Sequence, residues 1–345
     1  MLGSVGWLWG VWIWEAANAR PTEGGDWTRN IKSRCPERTM GMFKSIYAKQ
    51  AQLLLRCLPE VGKQTCFALK GGTAINFFFR PMPRLSVDID LAYLPLGGRD
   101  KALADISRAL EDIATDVRQR VGSTHVQISR AGGMATKLVV ALDDAQIKVE
   151  PNHVLRGSVY PPEVCDLCPE AQSFFELFVA VPTLSHADLY AGKICAALDR
   201  QHPRDLFDVR LLLDNEGFTS QIRRAFVVYL ASHDRPMHEL LTPQFKKDFA
   251  ETYATEFAGM ARDEVPLSVL SDTLPRIAGL ILSGLDADER QFLLTMKQGE
   301  PDWDVLEIPH LRDLPALQWK LQNIRRMDSD KRGKMLEKLR RILER

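Results

Sequence analysis

Apolar and polar positions follow two rhythms along the chain, and the place where one gives way to the other divides it. Residues 43–59, FKSIYAKQAQLLLRCLP, set apolar side chains at helical spacing and predict a helix closed by Pro59. An apolar run over 66–69 predicts a strand ended by Gly71-Gly72, and 73–79 predict a helix with Thr73 near its start. Pro81 and Pro83 mark a connection to a strand over 86–93, followed by a long amphipathic helix over 100–121. Three more strands are predicted over 125–130, 136–142 and 146–152. This order predicts a small mixed sheet with helices packed on it.

Beyond about residue 180 the helical period takes over. Helices are predicted from 185 or 186 to 200 and over 203–215, 218–232, 242–257 and 268–285, with a helical tail over 315–345. From Lys320 to Arg345 the tail holds ten Lys or Arg against four Asp or Glu. The expected class is α+β: an α/β half over 40–180, then an α-helical half over 181–345, with no internal repeat.

Residues 1–39 stand apart. Trp7, Trp9, Trp12 and Trp14 lie in a short apolar run that ends in Ala17-Asn18-Ala19. A secretory signal has a similar ending, but no Lys or Arg precedes this run and it is too short to span a bilayer. The next stretch, 20–38, is polar and aperiodic and reads as disorder. The expectation is a mis-assigned start, with translation beginning at Met40 or Met42, where amphipathic patterning opens.

At 345 residues the chain has room for one large or two ordinary domains, and 45% apolar with 26% charged residues is a soluble globular balance. The formal net charge is zero, so any affinity for nucleic acid or an anionic membrane must come from a local patch. Six scattered cysteines suit a reducing cytoplasm better than a disulfide framework. The expected location is cytoplasmic, with no membrane partner.

The densest chemistry is in LKGGTAINFFFRPMPRLSVDIDL, residues 69–91. Residues two apart on a strand share a face, so Asp88 and Asp90 present two carboxylates while Ile89 and Leu91 face a core. Glu150, in Ile147-Lys148-Val149-Glu150, adds a third acid on another alternating strand. Three carboxylates on adjoining strands repel one another unless a cation sits among them. That set is the ligand pattern of two-metal phosphoryl chemistry. Gly71-Gly72-Thr73 precedes a helix, where free backbone N–H groups suit a phosphate. It lacks the P-loop pattern, which disfavours a Walker-type ATPase. Plainer readings stand beside these: two strand acids on a solvated face, and a glycine pair that is only a turn.

A second cluster is Lys193, Arg200, Arg204, Asp205 and Asp208, in AGKICAALDRQHPRDLFDV. Seven residues are about two helical turns, so Lys193 and Arg200 share a face, while Pro203 opens a helix whose first turns carry the two acids. A surface ion-pair network explains this pattern as well as a functional one. In the functional reading Lys193 meets triphosphate oxygens, and Asp205 or Asp208 orients it. Cys165-x-x-Cys168 has no second pair for zinc, and His153, His186 and His202 have no nucleophile for a hydrolase triad. The tail with Trp319 is either a nucleic-acid contact or an amphipathic helix docked through Leu317, Leu321 and Ile324.

With LKGGTAINFFF, RLSVDIDLAY, IKVEPN and DLYAGKICAALDRQHPRDLFDVRLLL in order, and PALQWKLQNI later, the sequence resembles the AbiEii-type nucleotidyltransferase toxins, the group that includes the MenT toxins. The similarity runs from about Met42 to Ile324 and covers nothing in 1–39. It implies a DNA polymerase β-like nucleotidyltransferase core with a helical C-terminal half. It also implies a toxin of phage defence or growth control, opposed by an AbiEi-type antitoxin without a stable complex. Some members add nucleotides to the 3′ end of tRNA. On matching positions, Gly72 and Thr73 would grip the triphosphate and Asp88 and Asp90 would bind magnesium, with manganese as a substitute. Lys193 with Asp205 or Asp208 would fall in the helical-domain motif needed for activity, and Glu150 would be the third acid. RPMPR lengthens the connection from Thr73 to Asp88.

The expected function is therefore a magnesium-dependent nucleotidyltransferase that moves a nucleoside monophosphate from an NTP to a tRNA 3′ hydroxyl. Its expected catalytic residues are Asp88, Asp90, Glu150, Lys193 and Asp208, with two ions on Asp88, Asp90 and Glu150. Gly71, Gly72, Thr73, Lys193, Arg204 and Asp205 are expected at the nucleotide. The alternatives are transfer to a small molecule or protein, and a non-catalytic nucleotide- or antitoxin-binding module.

Overall fold

The helical rhythm at 43–59 persists in three dimensions, but it runs past the proline expected to end it. A computed structural model describes residues 43–344, and the readings made for 1–39 lie outside the described residues. Helix α1 (Ser45–Gly62) continues through Pro59, whose ring faces solvent, because Val61 beyond it is buried. That burial offsets the one helical hydrogen bond that a proline removes.

Next come β1 (Phe67–Lys70) and α2 (Gly71–Ala74), which widens into a π-helical turn over Ile75–Phe79. They are followed by β2 (Asp88–Tyr93), α3 (Arg99–Arg120), β3 (His125–Ala131), β4 (Met134–Leu142) and β5 (Ala145–Asn152). The sheet is larger than the five strands predicted. β6 (Glu163–Asp166) and β7 (Ala180–Thr183), joined through α4 (Pro169–Phe175), extend it to seven in the order β3-β4-β5-β2-β1-β7-β6. Four residues give too little alternation to read, and β6 buries none of its residues.

β2 lies near the centre, antiparallel to β1 and parallel to β5. Phe67, Leu69 and Leu91 meet Leu58 and Val61 of α1 on one face of the sheet. α2 packs against β1 and β2, and also meets α5 (His186–Asp199) and α6 (Pro203–Asn215). The chain thus passes from sheet to helices with no long linker. Leu184 donates its amide to the Leu69 carbonyl at 2.9 Å, and Ser185 caps α5. The buried Asp188 of α5 accepts amide hydrogens from Val159 at 2.7 Å and Tyr160 at 2.9 Å, which ties down the segment after β5.

The remaining helices are α7 (Ser220–Ser232), α8 (Met237–Leu241), α9 (Phe249–Glu256), α10 (Leu267–Gly284), α11 (Ala287–Gln298), α12 (Pro315–Arg325) and α13 (Ser329–Leu343). The helix expected over 242–257 shrinks to α9, since Pro243 disfavours helical geometry at Thr242. The single expected tail helix is two. It breaks before Asp328, whose carboxylate caps α13 by accepting the Lys331 amide at 3.0 Å. Leu317, Leu321 and Ile324 are buried, so α12 docks on the body through its apolar face.

Candidate active site

β2 has two unlike faces. Ile89 and Leu91 are buried, while Asp88 and Asp90 are half-buried on the opposite side. The parallel neighbour β5 pairs Lys148 with Asp88 and Glu150 with Asp90, and β1 pairs Lys70 with Asp90. Register partners point to the same side of a sheet, so all five charged residues share one face.

Among the described residues neither the Asp88 nor the Asp90 carboxylate has a hydrogen bond or ion pair. Burial first, and the neighbouring Asp90 charge second, push the Asp88 carboxyl above its ordinary range, while Arg204 and Lys148 pull it back. Two adjoining carboxylates with free oxygens, one driven toward its protonated form, have the donor chemistry of a hard divalent cation. Glu150 shares the face, but its nearest cation is Lys137 Nζ at 3.6 Å. No group of three His, Cys, Asp or Glu able to hold a metal ion occurs among the described residues. The residues present therefore suit an ion bound by two carboxylates and completed by substrate oxygens and water, the usual manner for Mg²⁺.

The glycine pair sets how closely α2 approaches these acids. Gly71 has φ +74°, and a Cβ there would land on the Asp90 carboxylate. A Cβ at Gly72 would stand 2.6 Å from Nη2 of Arg84. Thr73 lies in the same first turn, but its hydroxyl is turned inward. It donates to the Asp88 carbonyl at 2.6 Å and lies 3.0 Å from the Ser86 hydroxyl, with no exposed surface. Thr73 thus holds the backbone beneath Asp88, and only its main chain is left for a ligand.

Behind α2 lies a buried ionic network. Asp208 accepts from Arg84 at both oxygens, Nε at 2.8 Å and Nη2 at 2.6 Å, and from Asn76 Nδ2 at 3.1 Å. Lys193 Nζ lies 3.1 Å from Asp208 and 2.9 Å from Asp205. Arg200 donates twice to Asp205, at 2.5 and 3.0 Å. Both acids are wholly buried. Burial alone would raise their pKa values, but Lys193 with Arg200 at Asp205, and Arg84 with Lys193 at Asp208, overcome it and hold both carboxyls below the ordinary range. Asn76 closes the link to the glycine turn by donating to the Gly72 carbonyl at 2.9 Å. Arg204, one residue before Asp205, places its charge near Asp88.

The chain thus brings Gly71, Gly72, Thr73, Asp88 and Asp90 together on α2 and β2. Lys193, Asp205 and Asp208 are joined to them through Arg84 and Asn76, two residues that sequence reasoning missed. Arg84 stood inside a stretch read as a connection, yet it is only 2% exposed. The connection itself is pinned: Leu85 donates its amide to Met260 at 3.0 Å, and Arg262 donates its amide to Pro83 at 2.8 Å.

A family profile described as "Nucleotidyl transferase AbiEii toxin, Type IV TA system" matches residues 52–323, from within α1 to within α12. The chain belongs to the AbiEii nucleotidyltransferase toxin family. Membership brings nucleotidyltransferase activity, general use of divalent metal ions, and an antitoxin partner in a type IV toxin–antitoxin system. Among solved structures, MenT4, a nucleotidyltransferase toxin from Mycobacterium tuberculosis H37Rv, is similar with a TM-score of 0.54. The two share 18% identity over 81% of this chain and 92% of that one, a likeness of fold. No curated protein matches the chain. No helix among the described residues is long and apolar enough to cross a membrane.

Proposed function

We propose that this AbiEii-family enzyme transfers a nucleoside monophosphate from an NTP to the 3′ hydroxyl of tRNA, with magnesium as the working ion and manganese as a substitute. The observation that carries this reading is the unpartnered Asp88–Asp90 pair beside the Gly71-Gly72 turn, backed by the buried network of Arg84, Lys193 and Asp208. The hydroxyl oxygen attacks the α-phosphorus, the bond from that phosphorus to the α–β bridging oxygen breaks, and pyrophosphate leaves with the electron pair. A bound divalent ion supplies Lewis acidity at the α-phosphate and neutralises the departing charge.

The chain's own groups do the rest. Asp88 and Asp90 hold the ion, and Glu150, one strand away, takes the proton of the attacking hydroxyl. Main-chain amides of Gly71–Thr73, with Lys193 and Arg204, receive the phosphates. Asp205 and Asp208 are positioning residues that fix the cations around them. In this reading the acids belong to a catalytic half, 40–180, and Lys193 to a helical half, 181–345. The enzyme acts in the cytoplasm and is opposed by an AbiEi-type antitoxin without a stable complex.

The test is to incubate purified protein with Mg²⁺ and each α-labelled NTP, first with total RNA and then with RNA-free lysate. Label on tRNA 3′ ends is expected. Label on protein or a small molecule instead would sink the RNA acceptor, and no label with any NTP would leave only a binding module.

A further inference from the structure

Away from the acids, a cavity of about 1210 Å³ opens between the α7–α8 turn and helices α11, α12 and α13. Five lysines line it: Lys297, Lys320, Lys331, Lys334 and Lys338. Lys297 is the most telling. It is only 4% exposed, and its ammonium meets no carboxylate, only the Met335 sulfur at 3.6 Å. A buried cation without a counter-charge is costly, and that cost falls when an anion arrives. Lys331, Lys334 and Lys338 follow at i, i+3 and i+7 along α13, a spacing that places them on one side of the helix. Lys320 spends its donors on the carbonyls of His233, Asp234 and Arg235, which shapes the wall. Burial, and to a lesser degree the nearby Lys297 charge, push its pKa down to about 8.

The acids on the rim do not cancel this. Asp328 is used as the cap of α13, and Glu239 lies 3.3 Å from Arg235. Asp234 is 94% exposed and lies beside His233, and Asp330 sits in the first turn of α13, where helix amides favour a negative charge. Trp319 of α12, 54% exposed, adds an aromatic face to the lining. Lysines around an exposed aromatic ring match the phosphates and bases of a flexible RNA strand. The far wall includes Asn152, two residues after Glu150 on β5 and on the same strand face, roughly 7 Å along the strand.

We propose that this cavity is a second RNA-contact site, which seats phosphates of the acceptor on Lys297, Lys331, Lys334 and Lys338 and a base on Trp319. This rests on the reading of RNA as the acceptor. The site fixes where the acceptor's body lies when its 3′ end reaches the acids.

The test uses the full chain and fluorescence anisotropy with labelled tRNA across a salt series, beside binding of a non-hydrolysable NTP. A triple variant, Lys331→Ala with Lys334→Ala and Lys338→Ala, should bind tRNA roughly tenfold more weakly and lower the salt slope by about 2, because three phosphate contacts are lost. Its NTP affinity should not change. Lys297→Met should weaken tRNA binding and raise the melting temperature, which a purely structural lysine would not do. Wild-type protein that binds and extends tRNA while the triple variant keeps the same affinity and slope overturns the cavity site alone. Wild-type protein that binds no RNA and labels another acceptor overturns the RNA acceptor and the cavity together. A Lys297→Met protein with a lower melting temperature and unaltered tRNA binding also overturns the assignment.

Discussion

In the proposed site, Asp88 is a residue that gives up stability for its role. Its pKa is raised in the fold, so the unfolded chain gives up the proton first, and the folded state loses stability as pH rises through the raised value. At neutral pH the charged Asp88 is therefore a cost, and Asp88→Asn should raise the melting temperature in metal-free buffer at pH 7. That gain should shrink as pH falls below the ordinary carboxylate range, where both states hold the proton. A lower melting temperature for Asp88→Asn at pH 7 would show that the carboxylate has a protein partner. Gly71→Ala works in the opposite direction: the φ of +74° strains the new residue and its methyl lands on Asp90, so stability should fall by about 1 kcal/mol or more and transfer should fall with it. Equal melting curves and rates for Gly71→Ala would rule out this close approach. At this scale the acids and glycines were legible because alternation and turn chemistry are local. Arg84 was not, because its partner Asp208 lies 124 residues away in the chain.

Among the elements, the π-helical turn after α2, the connection leading to β2, α5 and α6 meet on Asp208 through Asn76, Arg84 and Lys193, and that carboxylate decides how firmly they are held. Asp208→Asn would leave Arg84 and Lys193 buried with no charge partner there, a loss of about 3–5 kcal/mol by urea unfolding at pH 7. The pKa of Asp208 is depressed, so its contribution is present above the ordinary carboxylate value and is lost as pH falls through the folded value. The stability gap between wild type and Asp208→Asn should therefore narrow in acid. This has the same direction in pH as the Asp88 difference but the opposite sign in stability. A gap under about 1 kcal/mol at pH 7 would mean that the network is slack. Long elements were the legible ones, since 18 residues of α1 or 22 of α3 repeat the helical period several times. β6, β7 and α11 were missed for different reasons. The strands are too short to show alternation, whereas α11 opens with an Asp286–Glu289 capping box that is written in the sequence and was passed over.

Over the whole molecule, the α+β class and the change to helices near residue 180 follow from periodicity, but the joining of the two parts does not. That joining depends on long-range pairs such as Asn76 with Asp208 and Asp188 with the amides after β5. The result is a site whose acids lie on the sheet and whose buried cations are organised from the helices. Its central requirement is that Asp88 and Asp90 act as ligands rather than as supports. The most direct measurement is the rate of nucleotide transfer to tRNA by Asp88→Asn protein in saturating Mg²⁺, beside its melting temperature in metal-free buffer at pH 7. We predict a fall of roughly 100-fold or more with a melting temperature equal to or above wild type. A fully active Asp88→Asn enzyme would contradict the two-aspartate site.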